Sequence, residues 1–138
     1  MSTLRLTIAA TFGDVDAAAP TLVAEAAKRL SGERLACFEI AIVEALNNIV
    51  QHAYRDVPDA SIGISIEQLP TALRVLLTDR GAAAPGETFS SASDAAPRAE
   101  SGRGLSLILG CADELAYRSG PGGNELDLTF RSDAAHGR

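Results

Sequence analysis

The sequence predicts an α+β domain, a two-layer α/β sandwich whose mixed, mostly antiparallel sheet carries its helices on one face. Three observations predict it. Apolar residues alternate in short runs near 4–8, 62–66 and 73–77, which is the period of half-buried strands. Between 17 and 54 they recur at three- and four-residue steps, the period of amphipathic helices. The 138 residues, 46% hydrophobic and 22% charged, have the size and balance of one globular domain.

Each element follows in order. Leu4, Leu6 and Ile8 alternate with polar partners and predict a first strand, with a turn at Gly13-Asp14. A helix is expected over about 17–30, with Leu22, Val23, Ala26, Ala27 and Leu30 on one stripe. Pro20 fits there if it falls near the first turn, and Ser31-Gly32 closes the helix. The longest helix is expected over about 33–54, where Leu35, Phe38, Ile42, Leu46, Ile49, Val50 and Ala53 form the apolar stripe. Val57-Pro58-Asp59 marks a turn. The runs through Ile62, Ile64, Ile66 and through Leu73, Val75, Leu77 predict a hairpin about Leu69-Pro70, ending at Asp79-Arg80-Gly81.

From 82 to 101 the chain turns to Ala, Ser, Pro and Gly without periodicity, which predicts a loop long enough to serve as a lid. A short helical run to about 111 follows. A last hairpin spans 114–119 and 124–131 about Gly120-Pro121-Gly122-Gly123, with Leu126, Leu128 and Phe130 on one face. The expected domain is therefore 1–131, with 132–138 as a polar tail.

Charge and composition exclude several classes of function. Twelve basic against eighteen acidic residues give a net charge of −6, which disfavours direct nucleic-acid binding. No run is long and apolar enough for a membrane span or a signal peptide. Cys37 and Cys111, 74 positions apart, are expected to be unpaired small residues of the apolar pattern, which makes a reduced, cytoplasmic protein the default. His136 sits in the tail, so His-based triads or metal clusters would rest on His52 alone.

Three constellations remain. Glu44, Asn48 and His52 lie four residues apart and stack along one helical face beside Asn47 and Gln51. Oxygen donors there suit a water and a hard cation, and a plain solvated face is the competing reading. Asp79 ends an apolar strand, where a carboxylate faces either a cleft or its own turn. Gly102-Arg103-Gly104 precedes a helix, a place where backbone N–H groups favour anions and where loop flexibility alone also calls for glycine.

In order and together these pieces resemble the GHKL ATPases, and most closely the anti-sigma-factor serine/threonine kinases of the RsbW/SpoIIAB type. Glu44 to Ala53 resembles the N box and Asp79-Arg80-Gly81 the G1 box. Ser101 to Ile108 resembles the G2 box, and Gly122 to Leu128 the family's last hairpin. The resemblance implies a Bergerat-type ATP-binding sandwich using ATP and Mg²⁺, with a lid at about 82–100. It implies that Glu44 is the general base, that Asn48 ligates Mg²⁺, and that His52 belongs to the same box. It implies that Asp79 accepts the adenine amino hydrogen while Gly81 lets the base approach. Gly102, Arg103, Gly104 and Leu105 would offer backbone N–H groups to the phosphates. Two positions depart from the pattern: Ala83 stands where G1 has its second glycine, and Asn124 where many relatives place a threonine near the adenine.

The function implied is an ATP-dependent serine/threonine-protein kinase and anti-sigma factor. Such a protein holds a sigma factor or an equivalent target and phosphorylates a STAS-domain antagonist, as a homodimer. Ala83 motivates the alternative of a non-catalytic, nucleotide-gated interaction module of the same fold.

Overall fold

A computed structural model describes residues 3–53, 60–80, 108, 110–120 and 123–132, with side chains at 52, 53, 119 and 120 left aside. The strands are β1 (Thr3–Ala9), β2 (Ser61–Leu69), β3 (Ala72–Asp79), β4 (Glu114–Gly120) and β5 (Gly123–Arg131). The helices are α1 (Phe12–Ala26) and α2 (Gly32–Ala53). The strands form one sheet in the order β1-β2-β3-β5-β4. The α+β sandwich is thus as expected, and every pairing among the described residues is antiparallel rather than mixed.

Register explains why one face became the core. Leu6, Ile64, Leu77, Leu126 and Tyr117 stand in one row across the sheet, and Leu4, Ile66, Val75, Leu128 and Leu115 in the next. Two-residue alternation sends each of these side chains to the same side, where the helices cover them. The helices meet that face with Val15, Leu22 and Ala26 from α1 and Phe38, Ile42 and Leu46 from α2, all fully buried. Phe38 and Phe130 meet edge to face at 5.0 Å, joining α2 to β5. The other face carries cross-strand ion pairs, Arg74 with Asp127 and Arg118 with Glu125.

The first helix is where the sequence reading needs correcting. α1 begins at Phe12 because the Thr11 hydroxyl accepts the Asp14 N–H at 3.0 Å, so Gly13 and Asp14 lie in its first turn rather than in a loop. Pro20 therefore falls inside the helix. It lies on the exposed side, where water can satisfy the carbonyl its missing N–H leaves behind. α1 ends at Ala26 with Ala27 as its C-cap, short of the expected 30, so Ser31-Gly32 opens α2 rather than closing α1. The Ser31 carbonyl accepts the Leu35 N–H, and Gly32 takes φ +54, a left-handed conformation suited to glycine.

The cysteines are not independent. Cys37 of α2 and Cys111, three residues before β4, form a disulfide with a Cα–Cα distance of 5.1 Å. Neither is fully buried. A bridge across 74 positions restricts the unfolded chain strongly, by about 4 kcal/mol in the chain-entropy view. Sequence spacing alone carries no such information, because pairing depends on how α2 packs beside the approach to β4. The inference of reduced thiols therefore fails, along with the argument for a compartment that rested on it. Among the described residues no helix is long and apolar enough to cross a membrane. The turn expected at 57–59 and the loop expected at 82–101 lie outside the described residues.

Candidate active site

The same alternation that buries Leu73, Val75 and Leu77 carries Asp79 onto the covered face. In β5 it carries Asn124 there too, ahead of Leu126, Leu128 and Phe130. Asp79 and Asn124 are cross-strand partners, and the Asn124 amide Nδ2 donates to Asp79 Oδ1 at 2.8 Å. Both are buried, at 8% and 4% exposure. The Asp79 carboxylate thus faces inward, bonded across the strands by Asn124. A carboxylate in such a place needs polar partners to offset its lost hydration. Asn124 supplies one and holds the group's orientation.

Gly123 makes this close approach possible. Its φ is +126, and a Cβ there would stand 2.5 Å from the Asp79 carbonyl oxygen. Sequence reading assigned this glycine only to a hairpin turn. The signal for its second role lies in the register, which places position 124 opposite 79.

The second group of candidates sits on α2, which packs against β3. The apolar stripe turns Ala41, Ile42, Ala45 and Leu46 fully into the core. Glu44, Asn47 and Asn48 consequently lie half-buried on the other side of the helix. The Asn47 side-chain oxygen is buried without a hydrogen-bond partner, an unusual condition for a buried amide. His52 lies in α2, and its side chain is outside the described residues. Gly81, Ala83, Gly102, Arg103, Gly104 and Leu105 are outside them as well.

The donor set suits a nucleotide with a hard divalent cation. Glu44 and Asn48 offer oxygen ligands on the half-buried strip of α2, and Asp79 offers a buried carboxylate on the covered face of the sheet. Among the described residues no three His, Cys, Asp or Glu side chains gather as a metal cage. One or two protein oxygens together with phosphate oxygens are the usual way a magnesium ion is held beside a nucleotide.

Several relatives share this architecture. The chain is 36% identical over 95 residues to the serine/threonine-protein kinase BtrW of Bordetella bronchiseptica. That alignment spans 64% of this chain and 65% of the relative. The solved RsbU and RsbW domains of Rv1364c from Mycobacterium tuberculosis superpose with a TM-score of 0.68 at 22% identity. That match covers 96% of this chain and 33% of the other. The catalytic domain of histidine kinase ThkA gives a TM-score of 0.62 at 14% identity, covering 96% and 99% of the two chains. The mycobacterial sensor histidine kinase MprB gives 0.60 at 16%, covering 94% and 98%. At such identities these structures show a shared fold. A family profile, described as the histidine kinase-like ATPase domain, matches residues 8–130, and the chain belongs to that family.

Proposed function

We propose that this protein is an ATP-dependent serine/threonine-protein kinase and anti-sigma factor of a partner-switching system. In this reading it holds a sigma factor or an equivalent target and phosphorylates a STAS-domain antagonist, working in the cytoplasm as a homodimer. The observation that carries the reading is the placement of Glu44 and Asn48 on the half-buried strip of α2, the helix packed on the strand that ends in Asp79. The likeness to BtrW, itself a serine/threonine-protein kinase, supports it.

When bound, ATP supplies the transferable phosphoryl group and Mg²⁺ neutralises its charge. The residues of this chain then divide the work. Asp79, held by Asn124, accepts a hydrogen bond from the adenine amino group. The Asn48 amide oxygen would ligate the cation. Glu44 takes the proton of the attacking serine or threonine hydroxyl. By the resemblance, backbone N–H groups of Gly102, Arg103, Gly104 and Leu105 would meet the phosphates and Gly81 would let the base approach, with His52 in the box of Glu44 and Asn48 and Ala83 in that of Asp79. Phosphoryl transfer asks mainly for such positioning and charge stabilisation.

The test uses the purified chain, Mg-ATP and the STAS-domain protein encoded nearest to its gene. Phosphorylation of a serine or threonine on that protein is expected. Glu44→Gln should lower the transfer rate by about 10²–10⁴-fold while ADP affinity stays within a few-fold of wild type. If ADP binds and no phosphoprotein forms with the wild-type chain, the protein acts instead as a nucleotide-gated interaction module.

A further inference from the structure

The bond between Cys37 and Cys111 lies on the same side of α2 as the proposed chemistry. Cys37 precedes Glu44 by seven residues, two helical turns, and Asn48 follows four residues later, so the three fall along one strip. At its other end the bridge holds Cys111, helical like residues 108 and 110 and three residues before β4. Both cysteine residues are half-buried rather than sealed in the core.

A second, non-covalent tie joins the same two elements. The Arg34 guanidinium, one turn before Cys37, donates to Asp113 Oδ2 at 2.6 Å and to the Arg131 carbonyl at 2.8 Å. Asp113 Oδ2 also accepts the Arg131 backbone N–H at 2.7 Å, and the Asp113 N–H donates to the Thr129 carbonyl. The two ties differ in kind. The Asp113 tie to α2 and β5 is made of hydrogen bonds and an ion pair that do not involve the cysteines, whereas Cys111 is held to α2 covalently only in the oxidised state. Opening the bridge therefore leaves the sheet and the Asp113 anchor in place. It removes the covalent hold of α2 on Cys111, which lies between core-buried Ile108 and the Asp113 anchor.

We propose that Cys37 and Cys111 form a thiol–disulfide exchange site for small thiols and disulfides, whose oxidation state sets the nucleotide affinity of the adjacent α2 strip. The nucleotide part of this proposal rests on the ATP-binding reading above. In the reducing direction, one thiolate of a dithiol attacks a bridge sulfur and forms a mixed disulfide. The released cysteine sulfur takes up a proton. The second thiol of the reductant, on losing its proton, displaces the remaining cysteine, which is protonated in turn. Two electrons pass to the protein, and the dithiol leaves as its own disulfide. The reverse reaction consumes a small disulfide and returns two thiols. Disulfides that open and close in this way are the kind found in redox-sensing cytosolic proteins.

The full chain, equilibrated in glutathione buffers of graded ratio, provides the test. Maleimide labelling should count no free thiols at the oxidised end and two at the reduced end, reversibly. ADP titrations of the two states should differ about fivefold or more in affinity. The Cys37→Ser/Cys111→Ser variant should bind ADP like the reduced chain and ignore the buffer. Hydrogen exchange across 37–48 is followed in parallel and should differ between the two states. Equal ADP affinities, or two free thiols in the folded chain under oxidising buffer, overturn the proposal. If neither state binds ADP, the ATP reading fails. Redox-dependent exchange in α2 then still upholds the thiol–disulfide site, and unchanged exchange overturns it.

Discussion

β3 and β5 carry two polar cross-strand pairs on opposite faces of the same sheet, and the two are built to different ends. On the open face Arg74 grips Asp127 through two guanidinium nitrogens, at 3.0 Å for the Nε contact, with Arg74 side chain 44% exposed. The hydrogen bond and the charge of Asp127, and more weakly Glu67, raise the Arg74 pKa above its ordinary value. On the covered face Asp79 meets the uncharged amide of Asn124 in a nearly dry setting. Solvent screens the first pair, and such pairs contribute little to stability. Turning a carboxylate toward the core is costly to folding, which makes sense when that carboxylate has a ligand to recognise.

The largest expected effect breaks the covered-face pair through its backbone. Gly123→Ala combines a disfavoured φ with a Cβ driven against the Asp79 carbonyl, and should destabilise the chain by about 2–4 kcal/mol. Urea unfolding measures the loss, and an unchanged midpoint would remove Gly123 from the account. Asp79→Asn separates function from stability. It removes the buried charge and leaves an amide that can still meet Asn124, so the unfolding midpoint should hold or rise. ADP affinity should meanwhile fall by about 10–100-fold, the size of one lost hydrogen bond to a charged acceptor. A variant that binds ADP normally would strike Asp79 from the site.

A third polar cluster falls between the two extremes. Glu25, at the end of α1, is bound by the Gln68 amide at 2.9 Å and by Lys28 at 3.0 Å. The Gln68 hydrogen bond first, and Lys28 second, lower its pKa below the ordinary 4.5. A depressed carboxyl stabilises the fold above its unfolded-state value, and the contribution is lost as pH falls through the folded-state value. Glu25→Gln should therefore cost about 1 kcal/mol at pH 7, with the difference from wild type closing below pH 4.5. A pH-independent difference would assign the effect to packing. The smallest effect belongs to the open face, where an Arg74→Ala/Asp127→Ala double-mutant cycle should give a coupling under about 1 kcal/mol that shrinks further in salt.

Much of this was legible in the residues, and the exceptions share a cause. The two-residue period of Ile62, Ile64 and Ile66 and the helical steps of Phe38, Ile42 and Leu46 predicted their elements and buried faces, because each period reports a local geometry. Glu44 and Asn48 were legible as one strip for the same reason. The start of α1 was misplaced because a threonine three residues before an aspartate is a quiet signal beside a glycine that suggests a turn. The partnership of Asn124 with Asp79 was missed because it spans 45 positions and exists only in the β3–β5 register.

The sequence by itself determined the strands, the long helix, the inward side of each and the residue types offered to a ligand, since periodicity belongs to single segments. The tertiary structure decided which of those segments meet. It set Asn124 on Asp79, brought Gly123 against the Asp79 backbone, and joined Cys37 to Cys111 beside the Arg34–Asp113 tie. Those are relations between distant positions, created when apolar faces pack together and absent from any stretch of chain short enough to carry a period.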